Sequence, residues 1–325
     1  MSEQELVAKA AWLYHVAGLN QESTARRLGI TRARVNKMLS DARESGLVSI
    51  SINQADVGLL PVEEALKAEY GLDFCICTPA LGLSADEDGD LSQKFAFRAV
   101  GTAAAAHLRV VLAESTHPVI GTGWGRTIEQ MTLQLAGVRA PHARFISLMG
   151  SLTANSAYNP FEVVHSLARS TGGQGFFLPV PFIADSAEDR QVLLSQRSVQ
   201  RALDIARTTT VAYVSVGELT EDSLLRQQEM ITREELNALR ALGAVGDTNG
   251  IFFDREGRPV DHELSHRTIA MPLVDLKQAS IVALVAGLPK VNAAQALLRS
   301  GLCRGLIIDG DTALQLHQLQ ASRGA

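Results

Sequence analysis

PVIGTGWGRT, Pro118 to Thr127, passes from a short apolar run through three glycines into a helical pattern. Apolar runs that are continuous rather than alternating, and that end in turn residues, suit strands of a parallel sheet covered on both faces. Outward from this stretch the same rhythm recurs from about residue 61, in LDFCICTP, ARFISLMG, GFFLPVP, TVAYVSVG, SIVALVAG and GLIIDG, with helical stretches between most of them. The pattern predicts a doubly wound, mostly parallel α/β domain, and in such sheets ligands bind at the carboxyl ends of the strands. No internal repeat interrupts it, and the acidic SADEDGD from Ser84 reads as a surface loop.

The glycines of GTGWGRT let backbone amides approach a ligand. The hydroxyls of Thr122 and Thr127, the Arg126 guanidinium and a helix N-terminus favour an anion, ideally a phosphate. Gly121, Thr122, Gly123, Trp124, Gly125, Arg126 and Thr127 are therefore candidate binding residues. A dinucleotide site fits less well, because the glycines run G-x-G-x-G and no Asp or Glu occurs between Gln130 and Phe161 to hold a ribose. SLMGS closes the next strand, and Ser147, Gly150 and Ser151 could complete the cradle if the two strands are neighbours. GDTNGIFFD offers Asp247 and Asn249 to hydroxyls, although turn and cap roles suit Asn249 and Asp254 taken singly. Lys290, at the end of AGLPK, opens a helix after a buried strand.

The first 54 residues carry a net charge of +2 and the remainder −7, within a total of −5. A basic head on an acidic body is compatible with a small nucleic-acid module, since phosphate contacts need local positive charge. In the head, Leu6, Ala10, Leu13 and Ala17 mark one amphipathic helix. QESTARRLGITRARVNKMLSDARESG, from Gln21, then reads as helix-turn-helix. Ala25 permits close helix approach, Gly29 supplies the turn's backbone angle, and Thr31 can cap the next helix. On that helix Arg32, Asn36 and Lys37 share an outward face with Arg34 near the first turn. Arginine and asparagine read base edges, and Lys or Thr hold phosphates. Thr31, Arg32, Arg34, Asn36 and Lys37 are thus the candidate DNA contacts, and the alternation in LVSISIN predicts a wing after them.

Other chemistries find less support. No membrane segment is expected, because the alanine-rich run is cut by His107 and Arg109. The N-terminus lacks the features of a secretion signal, and three cysteines outside metal-ligand spacing suit a reducing cytoplasm. HELSH, His262 to His266, matches the H-E-x-x-H of zinc hydrolases, but Pro259 before it and Met271-Pro272 after it leave little room for the helix such a site needs. There is no G-x-S-x-G elbow, and neither Cys75 nor Cys77 has an evident base partner. No catalytic residue, metal or cofactor is expected.

Taken together, the head from Gln21 to Val48, the GTGWGRT loop, FLPVPFIADSAEDR from Phe177, GDTNGIFFDREGRPVD from Gly246 and AGLPKVNAAQALLRSGLCRGLIIDGDTA from Ala286 resemble the SorC-type sugar-binding bacterial transcriptional regulators. The resemblance covers essentially the whole chain. It implies a winged helix-turn-helix domain over 1–54 and, over 55–325, an effector and oligomerisation domain related to sugar-phosphate isomerases. The first loop and Lys290 would contact a phosphorylated sugar, the helix after Thr31 would read operator DNA, and the protein would assemble as a dimer or tetramer. Trp124 and Arg126 stand where many members have a Thr-rich loop, and AGLPK is one residue shorter than the usual A-G-G-x-x-K. This combination resembles the branch that controls polyol catabolism, so the effector is expected to be a free or phosphorylated sugar or polyol. The alternative is a sugar-phosphate isomerase-like enzyme with a DNA-binding head, using Asp247 or Asp254 as base and Lys290 as electrophile.

Overall fold

The computed structural model describes all residues except 1, 46, 49–58, 83–88, 136, 153–158, 277 and 322–325. The expected wing, LVSISIN, lies outside the described residues but for Leu47 and Val48, and so does most of SADEDGD, whose last two residues begin a long helix.

Three helices form the head: α1 (Glu3–His15), α2 (Gln21–Leu28) and α3 (Arg32–Glu44). Each begins at a capping side chain. Ser2 accepts from the Glu5 N–H, Asn20 from Ser23 and Thr31 from Arg34, which satisfies N–H groups that a helix start leaves without partners. Gly29 ends α2 at φ 66°, a left-handed conformation that side chains disfavour. Ala10, Ala25, Val35, Met38, Leu39 and Ala42 are buried between the helices, whereas Trp12 of α1 is 58% exposed.

The body continues as α4 (Leu60–Tyr70), β1 (Phe74–Cys77), α5 (Gly89–Glu114), β2 (Val119–Thr122), α6 (Arg126–Leu133), β3 (Arg144–Ser151), α7 (Pro160–Thr171) and β4 (Gln174–Pro181). After α8 (Ala187–Leu194) and α9 (Arg197–Ala206) come β5 (Val211–Ser215), β6 (Gly217–Glu218), α10 (Leu224–Gln227), α11 (Arg233–Ala241), β7 (Ala244–Thr248) and β8 (Ile251–Asp254). The chain closes with α12 (Glu263–Arg267), β9 (Ser280–Val285), α13 (Val291–Arg299), β10 (Gly305–Ile308) and α14 (Gly310–Ala321).

The seven runs read as strands form one parallel sheet in the order β1-β10-β9-β5-β2-β3-β4. Alternate residues of each strand face opposite layers. Ala212, Val214, Ile281, Ala283, Leu306 and Ile308 pack on the side of α4, α9, α13 and α14, while Ile120, Phe145, Tyr213, Val282, Leu284 and Ile307 pack on the side of α5, α6 and α7. Burial on both faces explains why the runs are continuously apolar. By length and composition the Leu91–Glu114 part of α5 could cross a bilayer, but Val100, Ala104, Ala105 and Leu108 are buried in this core.

From β2 the chain winds outward through β3 and β4, and from β5 it winds the other way through β9 and β10. The neighbours β2 and β5 therefore mark the point where winding reverses, the place where open α/β sheets form a crevice. Above it sits a second sheet, antiparallel β6-β7-β8. Its hairpin turns on Asn249 (φ 49°) and Gly250 (φ 78°), two positive φ values that Asn-Gly accommodates. A separate apolar cluster that includes Trp124, Phe182, Leu219, Leu236 and Phe252 holds this sheet to the main one.

Candidate functional site

A chamber of about 40 Å³ lies over the β2–β5 junction, and Arg126, Thr127, Glu218, Ser223, Asp247 and Lys290 are among its wall residues. Phe97, Arg126 and Glu218 also line an open cleft of about 960 Å³ beside it. The strand ends are pinned together: the Gly123 N–H donates to the Tyr213 carbonyl at 2.9 Å and the Ser215 hydroxyl to the Trp124 carbonyl at 2.6 Å. Gly125, at φ 119°, begins α6 without a side-chain cap, so the first amides of that helix face the wall. Arg126 donates across the mouth to the Gln227 side chain.

Two cations and two acids meet here. Lys290 Nζ is 3.9 Å from Glu218 Oε2, and both side chains are largely buried. Lys290 and Arg126 also lie 5.4 and 5.8 Å from the centroid of the Phe97 ring, whose negative face attracts them. Asp247 pairs with Gly217 across β6 and β7, and a Cβ at Gly217 would lie 2.3 Å from the Asp247 carboxylate, so only glycine fits opposite it. Burial first, and Glu218 second, push the Asp247 carboxyl up to about 7 against the opposing pull of Lys290. Burial pulls the Lys290 ammonium below its ordinary range, against the pull of Glu218.

The hydroxyls of Thr127 and Ser223 and the Oδ1 of Asn249 are buried with no hydrogen-bond partner among the described residues. Unmatched polar atoms cost about 1–3 kcal/mol each when nothing satisfies them, and all three belong to residues lining the chamber. A hydroxyl group would match any of the three, whereas an anion would match only the Thr127 and Ser223 hydroxyls, since the Asn249 oxygen needs a donor.

For Asp247, a folded-state pKa above the unfolded value means that the neutral carboxyl favours folding at acid pH, and that this stability is lost as pH rises from about 4 to about 7. Asp247→Asn is expected to match wild type near pH 4 and to exceed it at pH 8 by on the order of a few kcal/mol, since each tenfold change in proton affinity is worth about 1.4 kcal/mol. Urea titrations at the two pH values measure the difference.

Of the expected effector residues, Trp124, Gly125, Arg126, Thr127, Asp247 and Lys290 line the chamber. Gly121 and Thr122 belong to β2 and Gly123 follows its end, its N–H taken by the Tyr213 carbonyl; a Cβ at Gly121 would press on Leu148 and Thr209 at 2.9 and 3.0 Å. The expectation for SLMGS is corrected. β3 does neighbour β2, but it runs on past the β2 end, so Ser147, Gly150 and Ser151 belong to the strand itself. Ser147 bonds to Met149, Gly150 donates to the Ile269 carbonyl, and Ser151 accepts from Phe182. Asn249 does both jobs: it occupies the turn, its amide donates 2.7 Å to the Met271 carbonyl, and it lines the chamber. Asp254 instead closes the β8 turn, accepting from Glu256, Arg258 and the Arg258 side chain.

Phe97, Ser215, Glu218 and Ser223 are chamber residues that the sequence reading does not include. The strand-end rule applied to TVAYVSVG points to Ser215, the last residue of β5, and to Glu218 just beyond it in β6. HELSH leads into only the five-residue α12, whose N-cap is His262, its Nδ1 accepting from the Leu264 N–H, while His266 lies 2.9 Å from Asp261.

In the head, Arg32, Arg34, Asn36 and Lys37 are exposed on α3, with Val35 and Met38 beneath them. Thr31 serves as cap. Arg34 is held by Glu3 of α1 at 2.8 Å, apart from Arg32 and Asn36, which are joined through Gln21 of α2. Gln21 is not among the expected contacts; its place at the start of the helix before the turn is the only sequence signal for it.

The Sugar-bind family of sugar-binding domains matches residues 56–317. The erythritol catabolism regulatory protein EryD of Brucella abortus (strain 2308) is 36% identical over 315 residues, 97% of each chain. The chain belongs to the SorC family of sugar-binding transcriptional regulators. Another relative of this SorC-family chain is the transcriptional regulator LsrR of Escherichia coli O139:H28 (strain E24377A / ETEC), 29% identical over 96% of this chain and 94% of that one. The full-length sorbitol operon regulator SorC from Klebsiella pneumoniae shares the fold, with a TM-score of 0.70 over 97% of this chain and 100% of that one at 22% identity.

Proposed function

We propose that this regulator controls a sugar or polyol catabolic operon by binding operator DNA through α3 and a sugar, polyol or phosphorylated derivative in the chamber at the β2–β5 junction together with the cleft that adjoins it. The observation that carries the effector reading is the set of buried, unpartnered polar atoms of Thr127, Ser223 and Asn249 between Arg126, Lys290, Glu218 and Asp247. Carboxylates and amide oxygen suit hydroxyls, and the two cations with the α6 N-terminus suit an anionic group. The relative whose name specifies erythritol supports the polyol side of this reading.

The division falls near residue 55, with residues 1–54 as DNA-binding head and 55–325 as effector and oligomerisation domain. The protein works in the cytoplasm as a dimer or tetramer, so that paired heads meet half-sites about 34 Å apart or multiples of that spacing. The effector acts by preferring one of two assemblies, DNA-competent or incompetent. It leaves the chamber chemically unchanged: Asp247 and Lys290 bind rather than catalyse, and purified protein is expected to give no aldose-ketose turnover.

A thermal-shift screen of the full-length protein against sugars and polyols, each free and phosphorylated, tests the effector reading. An effector at about 100 times its Kd stabilises by about 2.7 kcal/mol. A set in which no compound shifts the transition defeats the proposal. On the DNA side, Asn36→Ala is expected to weaken specific operator binding by about 1–3 kcal/mol while nonspecific binding stays level, as gel-shift titrations against competitor DNA will report.

A further inference from the structure

Gln21 connects the two helices of the turn through both ends of its side-chain amide. Its Oε1 accepts from Arg32 Nε at 3.3 Å, and its Nε2 donates to Asn36 Oδ1 at 3.2 Å. Arg32 and Asn36 are four residues apart on α3 and share a face. The direction of each bond follows from chemistry. A guanidinium can only donate, so the end of Gln21 facing Arg32 is its oxygen, the other end is its amino group, and the Asn36 atom facing that amino group is the oxygen.

The chain Arg32, Gln21, Asn36 therefore fixes which end of the Asn36 amide is turned toward α2. Its oxygen is engaged there, and its amino group is left as the donor to other partners. Arg32 keeps its terminal N–H groups, and it has no acceptor at all. The shared face of Arg32 and Asn36 thus offers donors. Among the major-groove edges, guanine alone presents two adjacent acceptors, O6 and N7, for the donors of both side chains; thymine has the single acceptor O4 beside its methyl group, adenine pairs an acceptor with a donor, and cytosine offers a donor.

We infer that Gln21 is a positioning residue that sets the orientation of the Asn36 amide, so that α3 reads guanine at the base pair Asn36 meets. This rests on the proposal that α3 is the recognition helix. It also makes a specific demand on replacements at position 21. A glutamate there still accepts from Arg32, but its second oxygen cannot donate to Asn36 Oδ1; the Asn36 amide turns over, its amino group goes to the carboxylate, and its oxygen is presented instead.

Selection of binding sites from a randomised pool of DNA duplexes by full-length wild type, Asn36→Ala and Gln21→Glu tests this. Both substituted positions are on the surface, and equal melting temperatures confirm that folding is common to the set. The Asn36 base pair is the position whose preference disappears in Asn36→Ala. There, wild type is expected to select a G·C pair in one orientation, and Gln21→Glu to move the preference by about tenfold away from it, to A·T or to the reversed pair, either of which puts an exposed donor where the guanine acceptors stood. The added charge lowers overall affinity by repelling phosphates, so base preference rather than affinity is the readout. Wild-type selection of an A·T pair at that position, or a preference unaltered in Gln21→Glu, overturns the inference and leaves α3 as the recognition helix. A selection unchanged at every position in Asn36→Ala removes the recognition-helix reading itself.

Discussion

Lys290→Met is expected to lower effector affinity by about 100-fold or more and to break the link between effector and operator release. Methionine fills much of the volume of the lysine stem, so the packing against Phe97 is largely kept while the charge goes. What the chamber loses is the ammonium that lies near Glu218 and draws on Asp247. Truncating one member of a buried, hydrogen-bonded charge pair costs about 2–5 kcal/mol, much of it from the charge left behind. The 3.9 Å separation makes this a loose pair, so the stability cost falls at the low end of that range. The effect on binding is larger in proportion, because the ligand groups that meet Lys290 then face two acids with only Arg126 to balance them. A double variant, Lys290→Met with Glu218→Gln, is expected to recover stability without recovering affinity. Calorimetric titration of both with the compound found by the thermal-shift screen separates the two quantities; wild-type affinity in Lys290→Met removes Lys290 from the site.

Gly150→Ala should destabilise the protein by about 3 kcal/mol while leaving the effector affinity of the folded molecules as it was. An added Cβ would lie 2.4 Å from the Pro181 carbonyl oxygen, 2.6 Å from the Pro181 carbonyl carbon and 2.7 Å from the Val180 oxygen. All three are backbone atoms, so no rotamer change relieves the clash and β4 itself must move. Overpacking of this kind costs about 1–3 kcal/mol and occasionally more. The β3–β4 register already shifts at Gly150, which shows where the strands come closest. Urea unfolding gives the stability and calorimetry the affinity. A ligand role for Gly150 predicts the reverse result, with affinity lost and stability kept.

These two residues also show what can and cannot be read from sequence. The seven strands of the main sheet are legible because burial on both faces leaves a continuous apolar mark on each of them. The helix-turn-helix is legible because Ala25, Gly29, Thr31 and the apolar positions must agree in one register. Lys290 stands out because it follows a buried strand. The place of Gly150 is not legible, since a glycine after a strand and a glycine inside one look alike until the strand's length is known. The small sheet is easily passed over although Asn249-Gly250 is a strong hairpin signal, because its strands are short and GDTNGIFFD draws attention to its polar side chains. Ser223 reaches the chamber only because β5 returns to lie beside β2, and that crossover leaves no trace in local sequence. Phe97 arrives from α5, more than 20 residues before β2.

The chain has two tryptophans, and the fold puts one in each part: Trp12 exposed on the head, Trp124 buried at the chamber wall with 7% of its surface accessible. An indole in water emits at longer wavelength than one in an apolar setting. The intrinsic fluorescence of the unlabelled protein accordingly divides into a red component that reports on the head and a blue one that reports on the chamber. One spectrum can follow DNA and effector together, with no dye attached.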